Sequence, residues 1–144
     1  MRIVPFFNHK GGVGKTTLIF NIGLAMAKAG ESILFLDADP QANLTGLALN
    51  ADQYEQAIDA KQDIYHSLLP VINASGDYIK VKPVKIRPDV WLLPGNIRLS
   101  EFEEILPEAW TKPRKHARLH ILRAHQASKA VIIRRKPSKV FHII

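Results

Sequence analysis

Three glycines within four residues, Gly11, Gly12 and Gly14, separate a β-prone apolar segment from a helix-prone one. No other feature limits the fold of this 144-residue chain as much. Before them, Arg2-Ile3-Val4-Pro5-Phe6-Phe7-Asn8 reads as a strand near residues 2 to 8, with Pro5 withholding one ladder donor. After them, Thr17 to Ala29 carries Leu18, Ile22, Ala25, Met26 and Ala29 at helical spacing and closes on Gly30 as a C′ glycine. A strand, a glycine bend and a helix in that order turn successive backbone N–H groups toward one point, where the helix adds the positive end of its dipole. Such a cradle suits an anion with several oxygens.

The side chains within it sharpen that reading. Lys10-Gly11-Gly12-Val13-Gly14-Lys15-Thr16-Thr17 has the form of a phosphate-binding loop. Lys15 is placed to meet the β- and γ-phosphates of a nucleoside triphosphate, and the Thr16 hydroxyl to bind Mg²⁺. The strict pattern puts glycine where His9 stands, and Lys10 is an additional cation inside the loop, so this is a variant. A second strand, Ser32-Ile33-Leu34-Phe35-Leu36, runs into Asp37-Ala38-Asp39-Pro40-Gln41. Carboxylates at i and i+2 on an extended segment point the same way. Beside a phosphate loop, one can organise Mg²⁺ and its waters while the other orients an attacking water. Taken alone, the pair would read as a turn closed by Pro40.

Lys10 to Thr17, Asp37 to Gln41 and the continuation Ala42-Asn43-Leu44-Thr45 resemble the ParA/Soj family of deviant Walker A ATPases, which partition plasmids and chromosomes. The likeness is specific over residues 1 to about 50. From there it runs more weakly to about Leu106, taking in Val90-Trp91-Leu92-Leu93-Pro94-Gly95 as a strand and Leu99 to Leu106 as a helix. The resemblance implies ATP with Mg²⁺ as cofactors. It makes Lys10 the signature lysine that reaches the phosphates of the partner in a nucleotide-sandwich homodimer. Gly11, Gly12, Val13 and Gly14 become the loop backbone, Lys15 the β- and γ-phosphate ligand, Thr16 the metal ligand and Thr17 the α-phosphate ligand. Asp39 would position the hydrolytic water and Asp37 would support the metal. It further implies a switch in which ATP joins two monomers, the dimer binds DNA nonspecifically, and a ParB-like centromere-binding partner stimulates hydrolysis. A lysine supplied in trans would then act much as an arginine finger does.

Two relatives with such loops are set aside. The iron protein of nitrogenase holds its cluster through cysteines, and this chain has none. MinD-type proteins end in an amphipathic membrane helix and lack the Pro-Gln that follows the aspartates here as Pro40-Gln41.

Composition breaks near residue 110. From Thr111 to Ile144 there are ten Lys or Arg and no Asp or Glu, whereas residues 1 to 110 hold ten against thirteen. No glycine follows Gly95 and no carboxylate follows Glu108. The family continues with an apolar strand ending in the Walker B aspartate, set between the first two strands. The comparable run here, Ala130-Val131-Ile132-Ile133, leads instead into Arg134-Arg135-Lys136. Loss of that strand would leave two edges unpaired and prone to aggregation. Full hydrolytic competence is therefore in question. Three readings of the segment stand open: a truncated or frame-shifted end not shaped to fold, a basic extension for nucleic acid, and a basic surface helix striped by Leu119 and Leu122.

The expected fold is α/β: an incomplete P-loop NTPase domain over residues 1–110, with parallel strands near 2 to 8, 32 to 37 and 90 to 94 flanked by helices, and a basic tail over 111–144 that is disordered or helical. Ile64 to Leu69 suggests a short helix ended by Pro70, and Lys80 to Arg87 an irregular or edge piece. His116 and His120 share a helical face without a third ligand and read as solvated. The strand begins at once after Met1 and no apolar run approaches a membrane span, so the expectation is a soluble, cytoplasmic ATP-binding protein without membrane contact, nucleoid-associated if the resemblance extends so far. The competing class is a non-enzymatic basic nucleic-acid-binding module.

Overall fold

The computed structural model describes residues 2–6, 14–73, 75–101 and 129–135. Glu31 to Asp37 (β2) is apolar without alternation, as a strand covered on both faces must be. Ile33 and Phe35 pack on one side with Ile19, Leu44, Leu49, Val90, Leu92 and Ile133. Leu34 packs on the other with Ile64, Tyr65, Leu93 and Leu99. A three-layer α/β arrangement follows directly from that run.

The remaining elements fall on either side of β2. In chain order they are β1 (Arg2–Phe6), α1 (Lys15–Lys28), α2 (Asn43–Ala48), α3 (Ala51–Asp59), α4 (Ile64–Ile72), β3 (Val84–Arg87), β4 (Val90–Leu93) and β5 (Lys129–Arg135). The sheet order is β1-β5-β2-β4-β3. β2 and β4 are parallel, with Ile33 opposite Val90 and Leu36 opposite Leu93. β1 and β2 are each antiparallel to β5 and so run in the same direction as one another. The three strands expected from sequence are thus present and co-directional, while β3 and β5 make the sheet mixed.

The slot expected to be empty is filled. β5 lies between β1 and β2 and pairs with both, Ile132 facing Ile3 on one side and Leu34 on the other. Residues 129–135, in the segment expected to be disordered or helical, form a strand, and they fill the gap antiparallel to the direction that the resemblance implies. Its first residue, Lys129, is level with Phe6 and with Asp37 at the carboxyl ends of β1 and β2.

Helix α1 corrects the expected face. Leu18, Ile22 and Ala25 are exposed, whereas Ile19 and Gly23 are buried. The helix has apolar residues all round, so periodicity alone does not choose its side. The choice rests on Gly23, where an added Cβ would overlap the Phe35 ring. Helix α4 runs past Pro70 to Ile72, because a proline in the last turn forfeits only one helical N–H. β3 is an edge strand of the sheet, with an irregularity between Lys85 and Arg87, close to the edge piece anticipated for that stretch. The helix expected over 99–106 is helical from 99 to 101, and its remainder lies outside the described residues, as do His116 and His120. Among the described residues no helix is long and apolar enough to cross a membrane.

Candidate functional site

The candidate site is where the chain leaves the carboxyl ends of β1 and β2. Phe6 and Asp37 flank Lys129 in register, which places Phe6 and Asp37 two strand spacings apart, about 10 Å. Lys10, Gly11, Gly12 and Val13 lie outside the described residues. Gly14 is described, and it takes the left-handed conformation, φ 79°, as the N-cap of α1. Its carbonyl accepts from Leu18 N–H at 2.9 Å, so α1 begins at once. Lys15, Thr16 and Thr17 form the first turn, where backbone N–H groups point out of the helix end. No acidic residue stands in that turn and no side chain caps it among the described residues.

Asp37 closes β2 and is fully buried. Its Oδ2 accepts from both the N–H and the hydroxyl of Thr45, each at 2.8 Å. Asp39, half-buried, lies in the turn that follows. Its Oδ1 accepts from Gln41 N–H at 3.0 Å and its carbonyl from Ala42 N–H at 2.9 Å. Ala42 is left-handed, φ 49°, a conformation that costs a residue with a Cβ about 1 kcal/mol or more. The sequence-predicted carboxylates therefore arrive together at the carboxyl end of β2, in different settings: Asp37 buried beneath the turn, Asp39 at its surface.

Thr45 and Gly95 enter the sequence reading only as members of resembling stretches, with no role assigned, yet both belong to this site. Gly95 N–H donates to the Thr45 hydroxyl at 2.8 Å. A Cβ on Gly95 would stand 3.1 Å from the Asp37 carbonyl oxygen and 3.2 Å from Ala42 Cβ. Eight and fifty residues separate these pairs in the chain, so their bonds cannot be read from local spacing.

A second polar group borders the loop after β4. Ile64 N–H donates to the Pro94 carbonyl, which ties the start of α4 to that loop. Asp63, fully buried, caps α4 through His66 N–H at 3.0 Å and contacts the His66 ring. Tyr65 donates to Glu101 at 2.9 Å, and Arg98 bonds Glu101 at 2.8 Å while lying over the Tyr65 ring. The Arg98 and Tyr65 hydrogen bonds hold the Glu101 carboxyl below its usual range, and burial pushes the Tyr65 phenol up. Burial also raises the Tyr54 phenol, with the negative charges of Asp63 and Asp37 adding to it.

Co-directional β1 and β2 flanking a third strand, a glycine loop from β1 into α1, and acidic residues at the end of β2 define a P-loop nucleotide-binding fold. The chain belongs to the AAA domain family, whose model matches residues 1–139, and its relatives are of the ParA/Soj kind. It is 34% identical over 140 residues to the chromosome partitioning protein ParA of Caulobacter vibrioides, covering 96% of this chain and 49% of that protein. Among solved structures it is similar to protein DIP2308 of Corynebacterium diphtheriae, with 31% identity and a TM-score of 0.65 over 74% of this chain and 38% of that one. It is also similar to cobyrinic acid a,c-diamide synthase of Mycobacterium smegmatis bound to an ATP analog and magnesium. There the identity is 30% and the TM-score 0.53, over 83% of this chain and 43% of that one. The chain thus spans about half the length of the curated ParA it matches.

Proposed function

We propose that this chain binds ATP with Mg²⁺ in the manner of a ParA-type partition ATPase. The observation that carries the reading is the left-handed Gly14 at a start of α1 that has no side-chain cap, together with Asp37 and Asp39 at the carboxyl end of β2. Lys10, Gly11, Gly12 and Val13 with Gly14 would wrap the phosphates, Lys15 would bind the β- and γ-phosphates, and Thr17 the α-phosphate. The Thr16 hydroxyl and the aspartates are hard oxygen donors of the sort Mg²⁺ prefers, so the residues present fit that ion, with Thr16 and Asp37 as its holders. When bound, magnesium supplies charge neutralisation at the β- and γ-oxygens.

The likeness to ParA supports nucleotide-dependent pairing of two copies through Lys10, nonspecific DNA binding by the pair, and stimulation by a ParB-like partner. Asp39 would orient the attacking water. The proposal is one of binding, because the strand between β1 and β2 opens with a cation, Lys129, at their carboxyl ends. Residues 1–110 would carry the nucleotide site, and residues 111–144 a basic segment that includes β5 of the same sheet.

Calorimetry with ATP and Mg²⁺ tests this. Lys15→Ala is expected to abolish the binding heat, and hydrolysis that survives the substitution overturns the assignment. A second reading, a basic nucleic-acid-binding module, is favoured by the charge of residues 111–144. DNA bound equally with and without nucleotide, with affinity that falls steeply as salt rises and is untouched by Lys15→Ala, would select it.

A further inference from the structure

One buried hydroxyl joins three segments of the site. Thr45 is 1% exposed and Asp37 is 0% exposed. A threonine hydroxyl offers one proton and two lone pairs. Here the proton goes to Asp37 Oδ2 and a lone pair accepts from Gly95 N–H, both at 2.8 Å. The Thr45 N–H adds a second donor to the same carboxylate oxygen, also at 2.8 Å. The end of β2, the first turn of α2 and the loop after β4 are therefore fastened at one point.

We propose that Thr45 is a positioning residue, which fixes the direction of the Asp37 carboxylate and the height of the Asp39 turn for a magnesium nucleotide. The inference rests on the nucleotide reading above. With two donors on Oδ2, the carboxyl group cannot rotate about its last torsion without breaking both bonds, so the direction of Oδ1 is set as well. α2 begins only two residues before Thr45, so the same bonds hold Asn43, Ala42 and the tight Asp39–Ala42 turn in place. β-branching restricts the χ1 of Thr45, which serine in its place would leave freer. Gly95 completes the fastening, because its lack of a Cβ lets the backbone come within hydrogen-bonding distance of the hydroxyl.

A packing role alone would be met by valine, which has the shape of threonine without the donor or the lone pairs. The discriminating comparison is Thr45→Val against Thr45→Ser on the full chain, with ATP titrated in the presence of Mg²⁺ and in EDTA. The wild-type chain is expected to gain affinity from Mg²⁺. Thr45→Val should lose about 10- to 100-fold of that gain, the usual cost of removing an outer partner of a metal site, while its affinity in EDTA is unchanged. Thr45→Ser should restore most of the gain. Equal losses with and without Mg²⁺ would mean a merely structural hydroxyl and overturn the proposal, as would a folded valine variant with the full gain. If the valine variant does not fold, Gly95→Ala keeps Thr45 and presses on Asp37 and Ala42 instead. A folded Gly95→Ala chain with the wild-type magnesium gain also overturns the proposal. A wild-type chain that binds no nucleotide under either condition removes the nucleotide reading, and this inference with it. A wild-type chain that binds, beside indifferent variants, removes this inference alone.

Discussion

Glu101 shows how little separates a cosmetic surface charge from one that reports on structure. It accepts from Tyr65 on α4 and from Arg98 three residues earlier, and these bonds keep its carboxyl below the ordinary 4.5. A group with a depressed folded value contributes stability that is complete above its unfolded value and is lost as pH falls through the folded one. Acid titration from neutrality should therefore remove a contribution from the wild-type chain below about pH 4.5, whereas Glu101→Gln, which cannot titrate, should lack that part of the slope. Denaturant melts at several pH values compare the two, and identical slopes would refute the assignment. The contribution is small, because the Arg98–Glu101 pair is about half exposed and salt screens it. Legibility at this scale was uneven. Gly14, Lys15, Thr16, Asp37 and Asp39 stand out because their chemistry is local and spaced along the chain. Thr45 does not, because its meaning depends on a carboxylate and a glycine that only the fold brings to it.

Elements repeat the lesson with different physics. β2 and β4 are readable because continuous apolar runs of strand length suit a strand that is buried on both sides. The helix over α1 was readable while its inward face was not: Leu18 is 55% exposed, though it fits the helical period as well as buried Ile19 does. Close approach decides the matter. Gly23 admits the Phe35 ring against the helix backbone, and that contact sets how near α1 lies to β2. In an open helix Gly→Ala would stabilise by about 1 kcal/mol. Here Gly23→Ala should destabilise by about 1–3 kcal/mol, since a buried ring must move. A thermal melt that rises instead would show that α1 sits farther from the sheet than described. The stretch after Ala51 is organised by end effects rather than by periodicity. Asn50 and Gln53 form a reciprocal capping box on α3, and Asp63 caps α4. Short helices with such caps carry little periodic signal.

For the molecule as a whole, β5 is the decisive strand. It supplies both neighbours' missing partners and contributes Ile133 to the core beside Ile33 and Phe35. Its apolar run was visible in the sequence, but a strand's direction is not written in its hydrophobicity, and the cations after it pointed away from a buried role. Proline cannot serve as a donor in a strand paired on both sides. Ile132→Pro should therefore cost about 3 kcal/mol or more and drive the chain toward aggregation, as measured by melting temperature and light scattering. An indifferent Ile132→Pro chain would show that β1 and β2 do not depend on this strand. β1 carries a further liability, with Ile3 59% and Val4 38% exposed along an edge that has no outer partner among the described residues.

The direction of β5 also dictates a route. The polypeptide leaves β4 and enters β5 at the same rim of the sheet, the one where β1 ends at Phe6 and β2 at Asp37. A strand inserted the other way round would have been entered from the opposite rim, beside Arg2 and Glu31.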